Sequence, residues 1–187
     1  MGRRDFLKFG ALIAFLGLSA DPVEAAVKRS SKIYRKSKQV SRALYFYNPH
    51  TGEKLDVSYF TKGRYSSAAM KDINRIFRDH RTGAIKPIDH KLLDYLYALS
   101  DKLETPRTPF HIISGYRSPE TNALLSRQSA GVAKDSFHIK GKAVDIRLPG
   151  RTIASVRNAA VSLKAGGVGY YPEDQFVHID VGDIRCW

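Results

Sequence analysis

The stretch that limits this chain's fold most is Ser136-Phe137-His138-Ile139-Lys140-Gly141-Lys142-Ala143-Val144-Asp145-Ile146. Val144, Ile146 and Leu148 alternate with Ala143, Asp145 and Arg147, which predicts a strand entered from a loop at Gly141. In such a strand Asp145 points away from the apolar face. A second run, Phe176-Val177-His178-Ile179-Asp180-Val181, alternates in the same way, with His178 and Asp180 on its polar side. If the two strands are neighbours, His138, Asp145 and His178 converge. Two imidazoles and one carboxylate with a fourth position open are the donor set of a catalytic zinc site.

Each residue also has a structural reading. A single histidine in an apolar strand is commonly a packed side chain with its nitrogens satisfied, and an aspartate at a strand edge is commonly a turn former. The metal reading therefore stands or falls on whether the strands meet.

The chain has 187 residues, 43% of them hydrophobic, enough for one domain with a sizeable core. Its net charge of +13 calls for an acidic partner: nucleic acid, anionic lipid or a carboxylate-rich polymer. Charge is all that supports nucleic acid, because no reading helix or aromatic stacking motif accompanies it. The one cysteine, Cys186, excludes an intrachain disulfide and reads as a partly packed thiol. Ser114 and Ser118 lack the Gly-x-Ser-x-Gly elbow of a serine hydrolase.

Residues 1–25 read as a twin-arginine export signal: Arg3-Arg4-Asp5-Phe6-Leu7-Lys8, an apolar run from Phe9 to Ser19, and Val23-Glu24-Ala25 before the cut. Gly2 stands where serine or threonine is usual. The apolar run is too short for a membrane span. Residues 26–42 carry Lys28, Arg29, Lys32, Arg35, Lys36, Lys38 and Arg42 without an acid, a solvated flexible leader suited to a polyanion.

The domain occupies 43–187. Ala43–Tyr47 and Lys54–Phe60 flank the turn cluster Asn48-Pro49-His50-Thr51-Gly52-Glu53 and predict a hairpin. Apolar spacing predicts helices over 66–80, 89–104, 121–128 and 152–164, and Phe110–Ile113 reads as a short buried strand. Ser118 is an N-cap before Pro119, which sets Arg117 at a strand-to-helix corner where a guanidinium can bind a carboxylate. Ser129–Lys134 reads as a loop, and Gly169-Tyr170-Tyr171-Pro172 as a turn into the His178 strand. The fold class is α+β: a small antiparallel sheet with helices on one side and the zinc site on the sheet.

Ser114-Gly115-Tyr116-Arg117-Ser118, Ser136-x-His138-x-x-Gly141-x-Ala143-x-Asp145 and Val177-His178-x-Asp180 resemble the zinc peptidases that include D-alanyl-D-alanine dipeptidases and murein-cleaving endolysins, the hedgehog/DD-peptidase-like zinc fold. The hairpin from Leu44 to Glu53 narrows the likeness, which spans 43–187, to the periplasmic murein endopeptidases of Gram-negative bacteria. The resemblance implies His138, Asp145 and His178 as ligands of Zn²⁺. It implies Arg117 as the group that orients substrate or polarises the scissile carbonyl, with Ser136 and Ser114 lining the substrate pocket. The implied reaction is hydrolysis of a peptidoglycan cross-link joining D-alanine or diaminopimelate to diaminopimelate, by a periplasmic monomer. Several relatives have an acid three residues before the last ligand as general base; here that residue is Gln175. Asp180 is then the first candidate for the base, with Glu173 and Asp174 as loop alternatives. Loss of that acid also leaves open a non-catalytic murein-binding module with a structural zinc.

Overall fold

The computed structural model describes residues 41–128, 133 and 135–187; the expected export signal, the leader up to residue 40 and most of the 129–134 loop lie outside the described residues. Eight strands form one sheet: β1 (Arg42–Tyr47), β2 (Lys54–Thr61), β3 (Arg64–Tyr65), β4 (Phe110–Ser114), β5 (Ala143–Arg147), β6 (Gly167–Tyr171), β7 (Phe176–Asp180) and β8 (Arg185–Cys186). Their order is β3-β2-β1-β4-β5-β7-β6-β8. The helices are α1 (Ser67–Ile76), α2 (His90–Lys102), α3 (Pro119–Gln128) and α4 (Ile153–Leu163).

Strand alternation sorts the sheet into two faces. Leu44 and Phe46 of β1, Val57 and Tyr59 of β2, Ile112 of β4, Val144 and Ile146 of β5, and Val177 and Ile179 of β7 join one buried core. Onto that face pack Ile73 and Ile76 of α1, Leu92, Leu96 and Leu99 of α2, and Val156 and Ala160 of α4. The Tyr95 hydroxyl donates to the Ala160 carbonyl at 2.9 Å and ties α2 to α4. Side chains at the intervening strand positions share the opposite face, which is where the polar residues of interest lie.

The α+β class holds, but the sheet is larger than the sequence suggested and is mixed. β1 runs parallel to β4, and β6 parallel to β8. The parallel β1–β4 pair arises because α1 and α2 fill the crossover between them. Three strands were not read from sequence. β3 and β8 have two residues each, and β6 carries two glycines that hide its alternation. Cys186 is exposed, contrary to its expected partial packing, because β8 is an edge strand. Helix α1 stops at Ile76, short of the expected His80. There the Asp79 carboxylate accepts from the backbone N–H groups of Arg81 (2.9 Å) and Ser118 (2.8 Å), pulling 78–84 into a turn.

Gly141, at the mouth of β5, has φ +66°, and a Cβ there would run into the Pro87 carbonyl. Its own carbonyl accepts from Asp89 N–H at 2.9 Å, just before α2. Glycine is thus required both for its left-handed backbone and for close approach. Gly141→Ala is expected to lower the unfolding free energy by about 2–3 kcal/mol in urea titration; a loss under about 0.5 kcal/mol would contradict this packing.

Candidate metal centre

Asp145 of β5 and His178 of β7 are directly opposed in the antiparallel ladder. Cross-strand partners share a face, so the two side chains meet: His178 Nδ1 lies 2.9 Å from Asp145 Oδ1. The strands do neighbour each other, as the metal reading requires.

His138 reaches the same point from a turn. Its own N–H donates to Ser136 Oγ (3.3 Å), and the Arg117 N–H donates to its carbonyl (3.3 Å). Its Nδ1 donates to the Gly115 carbonyl at 2.7 Å, which fixes the tautomer and leaves Nε2 free to coordinate. That Nε2 lies 3.2 Å from His178 Nδ1 and 3.3 Å from Asp145 Oδ1. The three donor atoms form a triangle with edges of 2.9, 3.2 and 3.3 Å. A tetrahedral ion with bonds of about 2.0–2.1 Å keeps its ligand atoms about 3.3 Å apart. The triangle therefore fits such an ion with almost no rearrangement, and His138, Asp145 and His178 are a group that could hold one.

Asp180, first candidate for the base, sits behind His178 with 0% exposure. Its Oδ2 is 3.1 Å from His178 Nε2 and accepts from Arg185 Nη2 at 2.6 Å. Its Oδ1 accepts from Gly182 N–H (2.8 Å), Gly167 N–H (3.3 Å) and Arg185 Nη1 (3.1 Å). Every direction around this carboxylate is occupied, so it faces His178 and the protein interior, away from any water in the cleft. Asp180 is where a group that orients a ligating imidazole stands.

The cleft over the triangle encloses about 430 Å³ and is walled by Arg117, Ser136, Phe137, Asp174 and Trp187. Arg117 is 9% exposed. Its Nη2 donates to Ser114 Oγ at 3.1 Å and approaches Asp145 Oδ2 at 3.4 Å, while its Nε is buried with no hydrogen-bond partner. Ser136 lines the cleft directly, whereas Ser114 reaches it through Arg117 and lines the neighbouring depression. Gln175 turns away: its backbone is left-handed (φ 57°) and its side-chain amide donates to the Pro172 carbonyl. The indole of Trp187 lies 5.4 Å from the His178 ring and donates to the Tyr171 hydroxyl at 2.9 Å.

Burial opposes charge on Asp145, yet His138 and His178 beside it hold its carboxyl well below the usual carboxylate range. Burial pushes His138 down, toward the neutral form that coordinates. Burial also opposes charge on His178, but hydrogen bonds to Asp145 and Asp180 outweigh it and raise the imidazole to about 9. For Asp180, burial is outweighed by His178 and Arg185, which bring the carboxyl to about 2.

Gly115 was read only as part of a motif, without a role, and Arg185 and Trp187 were not read from the sequence. A backbone carbonyl that fixes a tautomer leaves no residue-type signal, and Arg185 and Trp187 follow the last motif with no spacing that ties them to it. Below about pH 9 the metal-free His178 carries a proton that an incoming divalent ion must displace. Affinity for such an ion is therefore expected to rise up to tenfold per pH unit and to level off near pH 9. Calorimetric titration of the metal-free protein across that range checks this; an affinity independent of pH would contradict it.

Over 146 residues, 78% of this chain and 80% of the other, the sequence is 47% identical to the Peptidoglycan L,D-endopeptidase MepK of Escherichia coli strain K12. It is 38% identical over 185 residues, 99% of this chain and 95% of the other, to the Probable peptidoglycan L,D-endopeptidase MepK of Haemophilus influenzae. The family described as Peptidoglycan L,D-endopeptidase MepK matches residues 36–187 and so includes every residue of the triangle and its supports: the chain belongs to that family of peptidases.

Proposed function

We propose that this protein is an exported, zinc-dependent endopeptidase that hydrolyses peptide cross-links of peptidoglycan in the periplasm. The single observation that carries the proposal is the donor triangle of His138, Asp145 and His178, open to a cleft on one side and backed by Gly115 and Asp180 on the other. Zinc held there would supply Lewis-acid chemistry, polarising a carbonyl and making water nucleophilic near neutral pH.

The chain's own residues do the rest. Asp180 and the Gly115 carbonyl hold the two imidazoles in their coordinating tautomers. Arg117 lines the cleft, and its guanidinium would donate to a substrate carbonyl oxygen there as negative charge develops on it. The general base needs a carboxylate on the cleft wall that is not a ligand. Asp135 lies there but pairs with Lys140 at 2.8 Å, whereas Asp174 lines the cleft without a salt-bridge partner among the described residues. Asp174 therefore takes the proton from the attacking water, and Asp180 positions His178.

Of the two cross-links that the resemblance allows, one begins at D-alanine, a D-centre. The relatives' L,D specificity favours the other, between two diaminopimelate residues. A non-catalytic module with a structural zinc is the rival reading because of Gln175; the open cleft over the triangle, with Asp174 on its wall, favours the peptidase. The export signal and basic leader would deliver the enzyme to an anionic polymer outside the inner membrane.

His138→Ala is expected to abolish both zinc content and release of monomeric muropeptides from cross-linked murein. Asp174→Asn is expected to keep its zinc and lose about 10²–10⁴-fold in kcat. Full activity in Asp174→Asn would move the base elsewhere, and full activity in His138→Ala would refute the zinc peptidase.

A further inference from the structure

A second cleft, also about 430 Å³, opens on the other side of Arg117 and shares Arg117, Asp145, Asp174 and Phe176 with the first. His50, His80, Arg81, Ser114 and Arg147 form its remaining polar wall. His50 comes from the β1–β2 turn, Arg81 and His80 from the turn after α1, and Arg147 from the end of β5. Three separate chain segments thus converge here.

The imidazole of His50 stacks on that of His80, with centroids 3.8 Å apart and rings 5° from parallel. His50 Nε2 lies 3.0 Å from the Ile113 carbonyl, which pins the stack to β4. Arg147 donates to the backbone carbonyls of Gln175 (2.7 Å) and Asp174 (2.8 Å). Among the described residues the guanidinium of neither Arg81 nor Arg147 forms a salt bridge with a carboxylate. Of the two acids on the wall, Asp145 belongs to the donor triangle. Arg81, Arg117 and Arg147 thus line a wall whose one remaining acid is Asp174, and Arg117 borders both clefts.

Guanidinium groups in a concave site bind carboxylates through charge-assisted, often bidentate hydrogen bonds. We propose that this second cleft is a carboxylate subsite, with Arg81 as its main specificity-determining residue, that seats an ionised carboxyl group of the cross-linked peptide beyond Arg117 from the donor triangle. The proposal rests on the endopeptidase reading for the identity of the peptide, and it adds which substrate group is recognised and where. Arg81 is exposed, and its hydrogen bond to Asp79 is made by the backbone N–H, which a side-chain substitution keeps, so its role is separable from folding.

The test measures binding of a cross-linked muropeptide dimer to the metal-free protein by calorimetry, with free carboxyl groups and with the same groups amidated. Wild type is expected to prefer the acid form by at least about tenfold in Kd. Arg81→Gln is expected to cut that preference to about threefold or less, and Arg81→Lys to restore part of it. With zinc bound, Arg81→Gln is expected to raise KM for the acid form while leaving kcat within about twofold. An unchanged preference in Arg81→Gln, or no preference in wild type, would overturn the subsite. Binding with the expected preference but no cleavage by the zinc-loaded wild type would support the subsite and refute the endopeptidase reading instead.

Discussion

The cross-strand pairing of Asp145 with His178 is the contact on which the rest of the site depends. Antiparallel register gives the pair a common face and a fixed spacing, so two of three donors are set by the sheet and not by loops. A one-residue slip of β7 against β5 would send His178 to the core face and bring Val177 or Ile179 out. The buried side chains of Val177 and Ile179 resist that slip, since both are fully buried beneath the helices. Hydrophobic packing on one face of the sheet thus specifies polar geometry on the other.

The third donor shows how a turn attains comparable precision. His138 is held by the Gly115 carbonyl, and Gly115 itself lies against the Phe77 backbone so closely that a side chain would collide with the Phe77 carbonyl. The turn after α1 carries Asp79, whose carboxylate caps the Ser118 corner; burial is outweighed there by Thr121 and backbone donors, which bring the group to about 2. The route from α1 to Arg117 and His138 is therefore a chain of backbone contacts, each satisfied by a buried partner. Taking Asp145 out of water would cost several kcal/mol without compensation. Arg117 and the two imidazoles provide that compensation.

Much of this was legible in the sequence because period-two alternation constrains side-chain direction. Val144 and Ile146 announced the face of Asp145, and Val177 and Ile179 that of His178. The Ser118-Pro119 signal placed Arg117 at its corner for the same kind of local reason. For Asp180, alternation gives a face but not a depth. It does share the side of His178, yet Arg185 and two glycine N–H groups close over it, and those contacts depend on β6 and β8, strands too short or too glycine-rich to read. The second cleft was likewise invisible, since His50, Arg81 and Arg147 are far apart in sequence and meet only through the sheet order.

Zinc K-edge X-ray absorption of the purified, metal-loaded protein tests the central claim most directly. The account predicts one ion per chain with only nitrogen and oxygen neighbours at about 2.0–2.1 Å, outer-shell scattering from two imidazoles, and one imidazole fewer in His178→Ala. Sulfur in the first shell, or a wild-type spectrum with fewer than two imidazoles, would contradict it.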